Sequence, residues 1–319
     1  MKPNIYQEFI HVVIGILKNT KNEVLVARRR DDAHLGGLLE FPGGKLEANE
    51  SPEEALEREL KEELNIQAHQ FSPLIQIPYS YQDRRVMLDV YTINDYSGSV
   101  IENESQPLDW KDISALNSTD FPSANHGIIR ALQLPKLISV TPEFTHGPDS
   151  FMTRFENVVK NDGVAMIHLR SHELNDAKYM QLAAKCLNLC RQYGTELVLN
   201  RDVKCLNKLN VAGLHLTSKK LLATAENPIR KKCWVSASCH SLDEVLHASK
   251  IGLDYIFLGP VIEKNTNTNI RPLGWDDFRV VAEQSLIPVY AIGGLSTADV
   301  DAAIKNGGQG IAAIRDLWK

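Results

Sequence analysis

Thiol chemistry is scarce in this chain. Its five cysteines, Cys186, Cys190, Cys205, Cys233 and Cys239, form no CxxC pair. The odd number argues against a closed disulfide framework, and the spacing argues against a zinc site. Cys186 and Cys190, four positions apart, share one helix face and read as buried thiols. Long apolar runs are missing too. No segment reaches the roughly 20 residues that span a bilayer, and the stretch MKPNIYQEFIHVV lacks the apolar core of a signal peptide. No membrane partner is expected, and a reducing cytoplasm fits. Nor is there a basic stripe. With 35 basic and 40 acidic residues the net charge is −5, which argues against nucleic acid as a partner. A length of 319 residues exceeds one ordinary domain, so two are expected.

Acidic charge is present and concentrated. Residues 41–66 read FPGGKLEANESPEEALERELKEELNI. Ser51 is a good N-cap, Pro52 suits the first helical position, and Glu54 completes a capping box with Ser51. Strong helix formers continue to Leu64, and Asn65 tolerates the left-handed backbone that ends a helix. At about 100° per residue, Leu56, Leu60 and Leu64 make one apolar stripe, and Glu59, Glu62 and Glu63 fall on the adjoining face. Three carboxylates on one face repel each other unless solvent or a cation neutralises them. A solvated Glu-rich helix is the plain reading of such a run. The other is a metal site, and oxygen-only, multiply charged ligands suit Mg²⁺ or Mn²⁺ rather than zinc. The Gly43-Gly44 turn lets the backbone approach the same ion or a phosphate closely.

The order of the residues favours the cation. Gly44, five residues, Glu50, seven residues, Arg58-Glu59, an aliphatic, one residue and Glu62-Glu63 resemble the Nudix box, whose final glycine alone departs, being Asn65 here. The resemblance implies a Nudix hydrolase over residues 1–134, an α/β/α sandwich with a mixed sheet that cleaves a diphosphate linked to another group. It implies that Glu59, Glu62 and Glu63 hold Mg²⁺ or Mn²⁺ with help from the Gly44 carbonyl, and that Arg58 orients the carboxylates. Glu104, in ENESQPLDW, would add a ligand or base. The flanking ARRRDDAHLGGLLEFPGGK and DFPSAN resemble the 8-oxo-dGTP diphosphatase type, mutator proteins that protect DNA replication by sanitising the nucleotide pool. On that likeness Asn125 reads the purine edge, Arg28 and Phe41 line the nucleoside pocket, and Pro122 and Ala124 shape its wall. Taken singly, Asn125 also suits the N-cap of a helix over 126–134, and Phe41 suits the core. ADP-ribose and dinucleoside polyphosphates stay open as substrates.

In this first part, strand patterns fall near 8–17, 23–29, 71–79 and 85–93, the last two as a hairpin across Gln82-Asp83. Pro135 is the expected boundary. From 136 to 319, short aliphatic strands alternate with amphipathic helices, the strands falling at 137–141, 164–169, 196–200, 212–216, 233–237, 254–258, 287–292 and 309–313. Such regular units predict an α/β fold closed as a (β/α)₈ TIM barrel, although an open doubly wound sheet allows the same alternation. Ligands of such barrels bind at the C-terminal ends of the strands. Those ends carry Arg170, Asn200, His215, Ser238, His240, Gly259, Gly293, Gly294 and Arg315, and Gly293-Gly294 can wrap a phosphate with N–H groups.

The pieces IHLR (167–170), VLN (198–200), GLHL (213–216), SCHS (238–241), DYIFLGPV (254–261), AIGGL (291–295) and GIAAI (310–314) resemble the thiamine phosphate synthase family and the related thiazole tautomerases. The likeness implies a phosphorylated thiazole or thiamine ligand. It also carries departures. The synthases place an Asp after the strand-three Asn, where this chain has Arg201, and a second Asp where Lys219-Lys220 stand. Those acids hold the Mg²⁺ that neutralises a pyrophosphate leaving group, although a cation there can itself bind phosphate. His168 replaces a Gln, His172 replaces a Lys, and the Thr-rich loop reads KNTNTN (264–269). Synthase activity, proton transfer through His240, which matches a His of the tautomerases, and a non-catalytic ligand-binding barrel all remain open.

Overall fold

The structure, a computed structural model, describes residues 9–32, 35–101, 107–143, 147–161, 163–206, 208–229, 233–262 and 271–318. It divides into two units, Met1–Leu134 and Pro135–Lys319.

The first unit is a mixed α/β fold of β1 (Ile10–Leu17), β2 (Glu23–Arg28), β3 (Leu39–Glu40), α1 (Pro52–Leu64), β4 (Gln67–Ser80), β5 (Arg85–Ser97), β6 (Leu108–Asp112) and α2 (His126–Gln133). Two three-stranded sheets form, ordered β1-β5-β4 and β3-β2-β6. β1 and β5 run parallel, whereas β4 and β5 form the expected antiparallel hairpin with Ser80 opposite Arg85. β3 and β6 escape the sequence pattern for physical reasons. Two residues show no alternation, and the LDWKD of β6 is mostly polar. β4 begins earlier than expected because it is an edge strand, which tolerates the polar run Gln67–Gln70. The apolar stripe of α1 buries Leu56, Leu60 and Leu64 with Val13, Leu17, Tyr91 and Ile93. Gly15 makes the close approach possible, since a Cβ there would sit 3.2 Å from Leu56 and 3.3 Å from Leu60.

The second unit alternates strands and helices in the order β7 (Leu137–Val140), α3 (Pro148–Val159), β8 (Met166–Leu169), α4 (Asp176–Tyr193), β9 (Glu196–Leu199), α5 (Val203–Leu206), β10 (Gly213–Leu216), α6 (Ser218–Leu222), β11 (Trp234–Cys239), α7 (Leu242–Lys250), β12 (Tyr255–Leu258), α8 (Gly274–Ala282), β13 (Val289–Ile292), α9 (Val300–Lys305) and β14 (Gly310–Ala313). All the strands are parallel, and the pairing of β9 with β10 closes the ring. An open sheet is thereby excluded. Alternate residues such as Leu214, Val235, Ala237, Ile256 and Leu258 pack outward in the apolar layer under the helices. His215, Ser236, Ser238, Tyr255 and Phe257 therefore point inward. His168 and His215 lie 5.0 Å apart, ring to ring, and each sits 4.7 Å from Phe257. His168 Nε2 meets Tyr255 Oη at 2.8 Å, and His215 meets Ser236 and Ser238, each at 2.8 Å. Cys186 and Cys190 are buried free thiols, and burial pushes Cys190 up to about 12. Among the described residues, no helix is long and apolar enough to cross a membrane.

Candidate functional site

Local sequence sets the geometry of α1. Ser51 Oγ accepts from the Glu54 N–H, and Glu54 returns a bond to the Ser51 N–H. At the other end Asn65 adopts φ 54°, ψ 34°, the left-handed conformation its position in the motif demands, and its N–H closes on Leu60 and Lys61. The helix thus begins and ends at defined residues, so its acidic face is held at one angle to the glycine turn.

Gly44 and Glu59 are in contact across that gap. A Cβ at Gly44 would fall 2.1 Å from Glu59 Oε1, so only glycine leaves the carboxylate its place. The Gly44 carbonyl accepts from the Val13 N–H at 2.8 Å, which leaves one lone pair for a ligand. Arg58 joins the two elements. It grips Glu50 with Nε and Nη2 at 2.8 and 3.0 Å, gives Nη1 to Glu59 at 2.8 Å, and reaches the Lys45 carbonyl at 3.1 Å. These carboxylates hold the Arg58 guanidinium more firmly protonated than usual, and Arg58 in turn lowers the Glu50 carboxyl. Glu63 accepts from the Gly43 N–H at 3.0 Å, and Glu62 is exposed. Among the described residues, no group of three or more His, Cys, Asp or Glu side chains is arranged to hold a metal ion as it stands. Glu59 and Glu63 are directed to nitrogen donors instead. The donor set itself, carboxylates and one backbone carbonyl beside a side-chain-free glycine, fits a hard divalent cation. Glu104 lies outside the described residues.

A second cluster in the same unit gathers aromatic and amide groups. Phe41 stacks on Phe121 at 5.1 Å and 22°, and Phe41, Phe121, Pro122, Ala124 and Asn125 are all buried. Asn125 makes no side-chain cap bond to α2, so helix capping does not explain it. Arg28 is exposed and donates to the Gly37 carbonyl at 2.6 Å. Its neighbour Arg29 instead turns to the opposite face and pairs with Glu40 at 2.6 Å. Arg29 also lies close enough to Tyr81 to act on its hydroxyl, which burial pushes up and the Ala124 N–H approaches. Sequence reading missed Arg29, Phe121 and Tyr81. The period of two along a strand was the available signal for Arg29, because it separates two adjacent arginines onto two faces.

At the C-terminal end of the barrel, Arg170 pairs with Glu143 at 2.9 Å. Burial, and then a hydrogen bond with Glu173, push the Glu143 carboxyl up. Asn200 is half-buried at the end of β9, and its N–H donates to Tyr179 Oη at 3.1 Å. Burial, followed by Arg170 and Arg201, lowers His172, with Glu173 acting the other way. Arg201, where the resemblance to the synthases expects an Asp, is engaged within the protein, with Nε 3.7 Å from the exposed Asp176 carboxylate. Its Nη2 donates to the Ser171 and Leu174 carbonyls at 2.7 and 2.6 Å, and its guanidinium lies over the Tyr179 ring at 4.2 Å. Gly293 and Gly294 have φ of 100° and 78°, and Cβ atoms there would strike Pro260 and Ile262 at 2.6 and 2.8 Å. Arg315 is exposed, and residues 264–269 lie outside the described residues. His240 is exposed at the end of β11, with Nδ1 2.5 Å from the Gly259 carbonyl. A carbonyl only accepts, so Nδ1 carries a proton, and the tautomer this contact selects has Nε2 as its unprotonated nitrogen.

The family model for thiamine monophosphate synthase matches residues 137–317, and that for the NUDIX domain matches residues 13–131. A 39% identity over 124 residues links the chain to an 8-oxo-dGTP diphosphatase of Escherichia coli (strain K12), covering 39% of this chain and 96% of that protein. The chain belongs to both families, a Nudix domain followed by a thiamine monophosphate synthase barrel. The Nudix region is also 32% identical over 126 residues to an 8-oxo-dGTP diphosphatase of Haemophilus influenzae, covering 40% of this chain and 93% of that protein. On the barrel side, a putative thiamine-phosphate synthase 2 of Aquifex aeolicus (strain VF5) is 30% identical over 183 residues, covering 57% of this chain and 97% of that protein.

Proposed function

We propose that the Nudix unit hydrolyses 8-oxo-dGTP to 8-oxo-dGMP and pyrophosphate, a reaction that keeps the oxidised nucleotide out of replicating DNA. The observation that carries this reading is Glu59 seated on the bare Gly44 while Arg58 ties it to the loop. Glu59, Glu62 and Glu63, with the Gly44 carbonyl, would hold Mg²⁺ or Mn²⁺. Bound there, the ion supplies neutralising charge for the phosphates and acidifies a water. Arg58 aims Glu59 and fixes the distance between loop and helix. The stacked Phe41–Phe121 pair, with Pro122 and Ala124 next in the chain, supplies apolar surface that would shield the base from water. Asn125 carries a donor and an acceptor on one amide, the pair needed to read a purine edge. Arg28 would line the nucleoside pocket, and Arg29, paired with Glu40 near Tyr81, is a second candidate to reach the nucleotide. Pyrophosphate release by the intact chain tests the reading. The 8-oxo form should be cleaved far faster than dGTP, and Glu59→Gln should bring turnover below detection. Equal rates for the two nucleotides would end the sanitation claim.

The His240 tautomer favours a second reading for the barrel, in which it binds a phosphorylated thiazole and transfers a proton on it rather than joining it to a pyrimidine. Arg201 supports the loss of synthesis, since its guanidinium stands in place of a carboxylate. Formation of thiamine phosphate from the thiazole phosphate and the pyrimidine diphosphate by the intact chain would overturn it.

A further inference from the structure

The carboxylate behind His240 is nearly withdrawn from water. Glu244, on the first turn of α7, is 8% exposed. Ser241 is the N-cap and accepts from the Glu244 N–H at 3.4 Å. In a regular capping box the third-position Glu reaches back to the N–H of the cap residue itself. Glu244 reaches one residue further, and its Oε2 accepts from the His240 N–H at 2.5 Å. Its Oε1 accepts from the Ser218 hydroxyl, at the start of α6, also at 2.5 Å. The side chain therefore ties the turn after β10 to the end of β11 and holds the His240 backbone. The ring is held from the other side by Gly259. That residue cannot drift, because its N–H donates to the Cys239 carbonyl at 3.2 Å and a Cβ on it would lie 2.1 Å from the Ile292 carbonyl.

We infer that Glu244 is a positioning residue for His240, fixing its backbone so that Nδ1 stays on the Gly259 carbonyl and Nε2 stays bare for a phosphorylated heteroaromatic ligand at the barrel mouth. The inference rests on the second reading above and adds the residue that makes it work. Both partners of Glu244 are neutral, and a buried carboxylate on neutral donors costs stability that a hydrogen-bonded neutral group does not. A glutamine meets the same two groups, with Oε1 on the His240 N–H and Nε2 on the Ser218 oxygen. Position, not charge, is what the side chain supplies.

The test is the ring protonation of His240 in the intact, isotope-labelled chain, read by long-range proton–nitrogen correlation and assigned with His240→Ala. The wild type should show one tautomer, with the proton on Nδ1, and thiazole phosphate should shift the Nε2 signal. Glu244→Ala should show a mixture of both tautomers and no Nε2 response, while Glu244→Gln restores the wild-type pattern. If Glu244→Ala fails to fold, Glu244→Asp takes its place, since one methylene fewer cannot span Ser218 and His240, and the same mixture is expected. A single Nδ1–H tautomer in the folded alanine or aspartate variant overturns the inference. Absence of a thiazole phosphate response in the wild type counts against the reading of the mouth instead, and the tautomer comparison still decides the role of Glu244.

Discussion

Gly44 and Glu59 illustrate how one missing side chain sets a site. The motif spacing places them in register, but the reason for glycine emerges only from the 2.1 Å that would separate a Cβ from the carboxylate. Gly44→Ala should therefore displace Glu59 and lower diphosphatase turnover by roughly a hundredfold or more, the scale of losing one preorganised charged group. Thermal stability should change little, because the loop around it is only partly buried. A loss of activity matched by a large fall in melting temperature would show instead that the residue serves the fold. Arg28 and Arg29 show the opposite limit of reading residues in a row. Neighbours in ARRR look equivalent until the strand sends them to different faces.

At the scale of elements, α1 was fully legible, since its cap, stripe and stop are all local. Asn65 is the test of its stop. A left-handed residue with a Cβ costs about 1–2 kcal/mol relative to glycine, less for Asn than for most. Asn65→Gly should leave stability equal or raise it by up to about 1 kcal/mol, and Asn65→Val should lower it by roughly 1–2 kcal/mol in urea unfolding. The barrel strands make a pH prediction. Burial holds His215, on β10, down to about 3 and also lowers His168, on β8, against an ordinary value of 6.5. As pH falls below 6.5 the unfolded chain takes up protons that the folded barrel refuses, so these groups favour unfolding. Stability is intact above that pH and declines toward 3, by about 1.4 kcal/mol per pH unit per histidine. Glu143 and Glu196, whose carboxyls are pushed up by partial desolvation, act in the opposite direction. The clean readout is therefore a difference between variants. Between pH 6 and 4, His215→Gln should reduce the pH slope of barrel stability, and an unchanged slope would count against the buried, neutral ring.

For the whole molecule, the proposed functions predict that the two units differ in their demand for a divalent cation. The Nudix face offers carboxylates and a carbonyl, whereas the barrel rim has Arg201 and Lys219-Lys220 where synthase acids would stand. Chelation should abolish 8-oxo-dGTP hydrolysis by the intact chain, with recovery on adding Mg²⁺ or Mn²⁺. Thiazole phosphate binding, followed by calorimetry, should be unchanged. A barrel ligand that also requires the ion would contradict this division. The amino-acid order alone determined the α1 motif, the repeating strands of the barrel and the family likenesses, because helix caps, apolar periods and short motifs are encoded within a few residues of one another. Closure of the ring, the different partners of Arg28 and Arg29, the engagement of Arg201 by the Ser171 and Leu174 carbonyls, and the grip of Glu244 on His240 were decided only in three dimensions. Each depends on groups brought together from separate elements or on which face a side chain takes, and neither is written in the spacing of a single segment.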